Sequence, residues 1–340
     1  RDQPRSRGLG DVYKRQVHYV HSNRKGDVML KYVLKRLGYI LVTLWVIVTC
    51  TFFMMKNLPG TPFDAERFSI MTPQQQERVL EMYGLNDSLP MQYVKYIKNM
   101  LKGDLGTSFT YVNQDVSKVI TGRLGPSALI GIQAVLIGLA IGLILGILAA
   151  WKHNSGIDYF TMILAVLGVS VPNFVAAALL QYYIGLKWGA LPVGFWTGWN
   201  CSVLPSIALS FSATAMVARF MRTEMLDVLD QDYIVTARAK GLSQMKVLMR
   251  HAVRNSILPV VTILGPIVVN LMTGSLAVEN IFSIPGIGSL FVDCIKANDY
   301  PVIMGITIFY AAFYMLIVLL VDLAYSLIDP RIRLAKGKES

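Results

Sequence analysis

Six apolar stretches recur along this chain, and each is long enough to cross the hydrocarbon core of a bilayer as a helix. They cover residues 33–55, 126–150, 159–186, 203–221, 257–278 and 302–327. Backbone groups in lipid must be satisfied within the segment, so a helix is the default for each stretch. Only 16% of the residues are charged. The sequence therefore predicts an all-α membrane protein with six transmembrane helices.

Basic residues are unevenly distributed between the connecting segments. Lys and Arg are concentrated before the first span, in the segment 223–256 and in the tail RIRLAKGKES, and Lys152 and His153 follow the second span. The opposite loops, 187–202 and 279–301, hold only Lys187 and Lys296. Because cytoplasmic loops are enriched in Lys and Arg, we expect both ends of the chain to be cytoplasmic.

The segment of about 56–125, between the first two spans, is external on this topology. Thr72 before Pro73 predicts a helix start, and QQQERVLEMYG ends at Gly84 in the manner of a C-cap. Residues 90–102 form a second amphipathic run. We therefore expect a small helical external subdomain between spans 1 and 2.

The two ends of the chain differ from the rest. Residues 1–28 hold seven Lys or Arg and three Asp, with neither an apolar signal-peptide region nor an amphipathic period. Met29 then opens MLKYVLKRLGYILVTLW, so we expect much of 1–28 to be a non-native or disordered extension. Without it the formal charge falls from +11 to +7, which suits basic cytoplasmic loops and needs no nucleic acid. Residues 335–340 are interpreted as a cytoplasmic tail.

Sequence motifs of catalysis are missing. The chain has no G-x-x-x-x-G-K-[ST] loop to bind nucleotide phosphates, no H-E-x-x-H and no G-x-S-x-G. The three cysteines, Cys50, Cys201 and Cys294, lack the spacing of metal ligands. We predict no catalytic residue, no metal site and no cofactor bound by this chain.

Few polar side chains fall inside the spans. Because a polar group in the membrane is a functional candidate, we consider five residues for a translocation path: Gln133, Asn173, Gln181, Asn270 and Asp322. Gln133 and Asn270 either line a path or bind helices to one another. Pro172 before Asn173 either frees carbonyls toward a cavity or is a packing kink. Asp322 lies near the end of span 6, where a structural pairing is the alternative.

The segment between spans 4 and 5 carries the pattern of a helical hairpin. DYIVTARAKG predicts a short helix that Gly241 ends in the left-handed conformation, and Ser243 is placed to cap a second helix. In that helix Lys246, Arg250 and Arg254 are four apart and share a face. An apolar face beside them comprises Met245, Leu248, Met249, Ala252 and Val253. A solvated loop needs no such features, and flanking spans hold the hairpin at the membrane, which excludes DNA binding.

The hairpin sequence resembles the "EAA" loop of ABC importer permeases. The form Asp-Tyr-Ile-x-Thr-Ala-Arg-Ala-Lys-Gly-Leu-Ser, then Arg-His-Ala-x-Arg-Asn-x-x-Leu-Pro, is similar to that of the oligopeptide, dipeptide and nickel group. Val235 stands where the general signature has Glu, and Thr236 replaces its first Ala. LPGTPFD, KGDLGTSF, SVPNF, ENIFSIPGIGSLFVD, NDYPVIMG and IDPRIRL extend the resemblance over 29–334. The oligopeptide-permease B subunit is the most similar member type.

The resemblance implies the type I ABC importer permease fold and a multi-pass subunit of a bacterial plasma membrane. It implies four kinds of partner: a homologous second permease, two cytoplasmic ATPases that use ATP and Mg²⁺, an extracellular binding protein and a peptide substrate. It assigns contact with the ATPases to the loop about 223–256, at Thr236, Ala237, Arg238, Ala239, Lys240, Gly241, Leu242 and Ser243. Ala237 and Ala239 are small enough for a close approach.

Other functions remain open at this point. An importer of the same class could carry dipeptides, nickel or glutathione. A stand-alone ion-coupled carrier or a membrane-embedded enzyme would belong to a different class. The spans hold fewer charged groups than either usually needs.

Overall fold

The computed structural model describes residues 33–57, 68, 70–82, 84–111, 114–272 and 276–328. The expectations for residues 1–28, for LPGTPFD and for the tail 335–340 lie outside these ranges. The described residues fall into two units divided between Cys50 and Thr51, and the packing below concerns the second unit.

The described residues are organised as helices. The helices are α1 Val33–Lys56, α2 Pro73–Met82, α3 Leu89–Leu101, α4 Val116–Trp151, α5 Gly156–Ser170, α6 Asn173–Leu180, α7 Val203–Leu229, α8 Asp232–Ala239, α9 Gln244–Val247, α10 Arg254–Met272, α11 Leu276–Ile281, α12 Ile287–Lys296 and α13 Tyr300–Ile328. A π-helical turn, Gln181–Lys187, extends α6, and a second, Leu248–Val253, joins α9 to α10. A 3₁₀ turn, Trp199–Ser202, leads into α7.

Among the described residues, five helical segments are long and apolar enough to cross a membrane, and the pair α5 and α6 supplies a sixth when counted as one span. The count of six spans agrees with the prediction on that basis. The pair is bent by 100°, so the kink expected at Pro172 breaks the predicted span 159–186 into two helices. Pro172 explains the break, because its ring pushes Val171 out of the helical region, and Val171 is extended with ψ 119°.

The predicted start of the second span and the predicted end of the fourth span are wrong. Helix α4 begins at Val116, ten residues before the predicted start, and carries Pro126 in its interior. The added turns bury Val116 and Ile120 in a cluster with α12 and α13, and this packing outweighs the disruption by proline. Helix α7 continues to Leu229, beyond the predicted end at 221. Its last turns are charged, so they lie past the apolar stretch from which the prediction was made.

Helices α4 and α7 approach closely along a row of glycines. Gly138, Gly142 and Gly146 are four residues apart and therefore share one face of α4. A Cβ added at Gly142 would lie 2.7 Å from Val217 Cβ and 2.8 Å from the Thr214 carbonyl oxygen. Small residues let helix backbones approach in a membrane, where dispersion contacts replace the hydrophobic effect as the main attraction.

Helix α7 is the most enclosed of the candidate spans. In the most apolar 18-residue stretch of the segment Trp199–Leu229, which contains α7, 67% is buried. The corresponding share is 11% to 33% in the other four single-helix spans. Helix α5 approaches α7 at Gly168, where an added Cβ would lie 3.0 Å from the Phe211 carbonyl oxygen. Helix α7 thus lies between α4 and α5 and carries the segment that follows it.

Candidate functional site

The segment after α7 forms the predicted helix–turn–helix hairpin. Gly241 has φ +76°, which confirms the left-handed conformation expected there. The Gly241 amide donates to the Arg238 carbonyl at 3.0 Å, and the Leu242 amide donates to the Ala237 carbonyl at 3.4 Å. These two bonds form a Schellman motif, which closes the end of α8. A Cβ at Gly241 would meet nothing within 4 Å, so the backbone conformation, not space within this chain, requires glycine.

The hairpin has a small apolar core of its own. Ile234, Ala237 and Val247 are buried together, and Val228, Leu229 and Leu242 pack against them. Ala237 is only 6% exposed, so its methyl group lies inside the hairpin, and its assignment to the ATPase contact stays a prediction. Its position in α8 places it on the same side as Ile234, three residues earlier. The core couples the two limbs of the hairpin.

The tip of the hairpin is exposed. Thr236, Arg238, Ala239, Lys240, Gly241 and Ser243 are all exposed, while Leu242 is half-buried. Ser243 has the extended backbone of an N-cap, and its carbonyl accepts the Val247 amide at 3.0 Å. Its hydroxyl makes no capping hydrogen bond, so that part of the prediction is wrong. The tip presents two cations and a narrow glycine turn.

The second limb differs from the predicted regular helix. Leu248 and Ala252 are buried and Val253 is half-buried, but Met245 and Met249 are 52% and 53% exposed. The π turn Leu248–Val253 adds a residue to the turn and rotates the faces of the helix. Lys246, Arg250 and Arg254 are all exposed.

The hairpin is joined to the spans on both sides. Gln244–Leu271 forms one helical segment, so α9 continues through the π turn into α10. The buried Ser256 hydroxyl lies 3.3 Å from the Glu224 carbonyl oxygen of α7, and Asn255 Nδ2 donates to the Tyr233 hydroxyl at 2.9 Å. The second limb of the hairpin is therefore continuous with α10, and hydrogen bonds connect the start of α10 to α7 and α8.

A buried ion pair lies at the same end of α7. Arg222 Nε is 2.6 Å from Asp158 Oδ1 and Arg222 Nη2 is 2.8 Å from Oδ2, a two-point contact between α7 and α5. The Asp158 side chain is 2% exposed. It also accepts the Asn154 amide at 3.0 Å, and His153 Nδ1 lies 3.1 Å away. The pair fixes the start of the bent span against α7.

The five residues considered for a translocation path lie on four helical segments. Gln133 Oε1 is 2.9 Å from the Ser206 hydroxyl of α7, so this side chain binds two helices together. Gln181 Nε2 donates to the carbonyls of Val193 at 2.5 Å and Ile281 at 2.8 Å, which holds an extended loop against α11. The other three are Asn173 at the start of α6, Asn270 in α10, which is exposed, and Asp322 in α13, whose side chain lies outside the described part.

Sequence reasoning did not single out Glu279, which is 1% exposed. Its carboxylate accepts the Ser127 hydroxyl at 2.7 Å and the Ser289 amide at 2.9 Å, at the start of α12. Burial raises the pKa of this carboxyl. A Cβ at Gly288 would lie 2.9 Å from Glu279 Oε2. The acid lies in ENIFSIPGIGSLFVD, where the neighbouring glycines were the available signal.

Asp299 is the second buried carboxylate that sequence reasoning missed. It is fully buried and accepts hydrogen bonds from the Ser108 hydroxyl, the Phe109 amide at 3.2 Å and the Thr110 amide at 3.0 Å. It also lies 3.4 Å from the Val302 amide in the first turn of α13. One side chain therefore joins KGDLGTSF to NDYPVIMG across 190 residues of sequence.

Within the described ranges, no group of three or more His, Cys, Asp or Glu side chains is arranged to hold a metal ion. The hairpin combines a Schellman turn, exposed cations at its tip and a second limb that continues into α10.

Comparisons with known proteins cover nearly the whole chain. The family profile described as "Binding-protein-dependent transport system inner membrane component" matches residues 142–334, and the profile of its N-terminal part matches 29–125. The dipeptide transport system permease protein DppB of Lactococcus lactis subsp. cremoris is 46% identical over 90% of this chain and 100% of its own length. The oligopeptide transport system permease protein OppB of Salmonella typhimurium is 39% identical over 90% and 100% respectively.

A solved structure supports the fold. The inward-facing MetNI methionine ABC transporter aligns with a TM-score of 0.51 over 62% of this chain and 95% of the compared chain. Their sequence identity is 14%, so this likeness concerns the fold alone. The expected type I ABC importer permease fold is confirmed.

Proposed function

Because the chain belongs to the family of binding-protein-dependent transport system inner membrane components, as a permease subunit of an ABC importer, we propose that it forms half of a peptide-conducting pore. A related second permease chain supplies the other half. Two cytoplasmic ATPases bind ATP and Mg²⁺, and an extracellular binding protein delivers the peptide. This chain is a transport subunit and not an enzyme.

Peptides are the proposed substrate class because the compared permeases are named for dipeptides and oligopeptides. The dipeptide permease is the more similar of the two, at 46% against 39% identity. Uptake of a labelled dipeptide, competed separately with longer peptides, nickel and glutathione, distinguishes these cargoes. Uptake that survives loss of the ATPases would instead indicate an ion-coupled carrier.

We further propose that the hairpin is the element on which the ATPase acts. The observation that carries this proposal is its construction: a Schellman turn and a buried core make it stiff, and its second limb continues into a span. Arg238 and Lys240 are placed to pair with acids on the ATPase, each exposed pair contributing about 1 kcal/mol or less. Shape and stiffness therefore carry more of the coupling than charge does.

The test compares Gly241→Glu with Gly189→Glu. Both glycines have positive φ, +76° and +61°, and neither has an atom within 4 Å of an added Cβ. The two variants therefore gain the same side chain and similar backbone strain, at the hairpin tip and in the loop before α7 respectively. We expect only Gly241→Glu to lose the copurifying ATPase or peptide-stimulated ATP hydrolysis. Normal hydrolysis and uptake by Gly241→Glu would refute the coupling role.

The orientation follows from the same proposal, with the hairpin and both chain ends in the cytoplasm. Positive-inside bias supports it. In a Cys50→Ser background, Asn86→Cys should react with an impermeant thiol reagent in intact cells, whereas Ser243→Cys should react only after lysis. Labelling of Ser243→Cys in intact cells would reverse the orientation.

A further inference from the structure

Helix α3 packs against the carboxyl end of the first span. The Tyr93 ring centroid lies 5.4 Å from that of Phe52 and 5.7 Å from that of Phe53, and the Tyr96 centroid lies 6.0 Å from that of Phe52. Tyr93 and Tyr96, with Ile97 and Met100, form a half-buried face of α3. The helix is therefore held beside the point where α1 leaves its apolar stretch.

An exposed apolar strip runs along one flank of this face. At 100° per residue, Pro90, Val94 and Leu101 fall within about 40° of one another. Val94 is 58% and Leu101 79% exposed. Single exposed apolar residues are common on protein surfaces, but here they are aligned and continuous with the face that meets the span.

Three lysines follow the apolar strip around the helix. Lys98, Lys102 and Lys95 lie in the next angular sector of the helix surface. Measured around the helix axis at 100° per residue, they are about 180° to 240° from Leu89. All three are exposed, and Lys95 pairs with Asp87 at 2.5 Å. Apolar residues flanked by lysines on one helix are typical of helices that lie in the membrane interface. Asn99 lies on the far side of the lysines and is also exposed.

We propose that α3 lies in the interface of the leaflet that holds the carboxyl end of the first span. Pro90, Val94 and Leu101 enter the acyl-chain boundary, and the lysines bind the phosphates of anionic phospholipids. Two observations select lipid as the occupant: the strip continues the contact with a membrane-spanning helix, and its neighbouring sector is cationic. The inference requires α1 to cross the membrane and does not depend on the transported substrate.

The test places an environment-sensitive fluorophore on the strip. Val94→Cys and Asn99→Cys are labelled with NBD in the full chain with Cys50→Ser, where the remaining Cys201 and Cys294 are buried. Each is reconstituted in nanodiscs of phosphatidylcholine, with or without phosphatidylglycerol. We expect NBD at Val94 to emit at shorter wavelength than NBD at Asn99 and to be quenched by doxyl-labelled phospholipid. We expect phosphatidylglycerol to increase this quenching, because the lysines bind its phosphate. Replacing the three lysines with Gln should abolish that increase.

Three results would overturn the proposal. Equal emission from the two sites would place the strip in water. Blue-shifted emission at Val94 without doxyl quenching would mean that protein covers the strip. Quenching that responds to neither phosphatidylglycerol nor the lysine replacements would remove the role of the anionic headgroups.

Discussion

The substitution Gly142→Ala inserts one methyl group where α4 and α7 are in close contact. The new Cβ would lie 2.8 Å from the Thr214 carbonyl oxygen and 2.7 Å from Val217 Cβ, whereas ordinary contact begins at 3.4 Å. The backbone oxygen cannot move aside alone, so the helices must separate by about half an ångström at this level. Gly138 and Gly146 lie one turn away on either side, so their contacts loosen as well.

Two opposing effects determine how much Gly142→Ala changes the stability of the fold. Ala is favoured over Gly in a helix interior by about 1 kcal/mol, whereas overpacking of a close contact costs about 1–3 kcal/mol. Gly142→Ala should therefore be neutral or destabilising by up to about 2 kcal/mol on balance. Gly122→Ala is the matched control, because it lies in the same helix and an added Cβ there meets nothing within 4 Å. Helix propensity cancels between the two variants, which leaves the contact cost as their difference.

The assay is the SDS concentration at which the purified chain loses half of its native helical signal in mixed micelles, followed by circular dichroism. We expect the midpoint of Gly142→Ala to lie below that of Gly122→Ala, and Gly122→Ala to equal or exceed the parent. A midpoint for Gly142→Ala equal to or above that of Gly122→Ala would refute the claim that this close approach stabilises the fold.

Two further predictions concern the buried carboxylates. Arg222→Gln should destabilise the chain by about 3–5 kcal/mol, because Asp158 remains buried without its cation, and adding Asp158→Asn should recover part of this loss in a double-mutant cycle of SDS midpoints. Asp299→Asn should accelerate hydrogen exchange of the Phe109 and Thr110 amides, because an amide side chain offers one acceptor oxygen in place of two, with amides of α7 as the reference.

Each of these predictions has a contradicting result. If the double variant is no more stable than Arg222→Gln, the Asp158 charge is not what makes the single variant costly. If Asp299→Asn leaves exchange at Phe109 and Thr110 unchanged, other contacts hold the external segment.

Local features of the sequence were sufficient to predict the spans and the hairpin turn. Hydropathy depends on composition over about 20 residues, so six apolar stretches could be found without knowledge of their neighbours. Gly241 was identifiable for a similar reason, since the end of a short helix before Leu-Ser requires a residue that tolerates positive φ. These features are properties of short segments, and the structure retains them.

Long-range packing decided the remainder. Pattern analysis shows that Ala237 is small, but only the fold shows that it is buried beneath its own hairpin. Arg222, the cation that pairs with Asp158, is 64 residues away in sequence, and Phe109, whose amide donates to Asp299, is 190 residues away, so hydrophobic periodicity carries no information about either contact. The glycines of α4 can be read from the sequence, but a missing side chain indicates only that another helix can approach the α4 backbone closely. Which helix does so is determined by the packing of the whole bundle, and here it is α7.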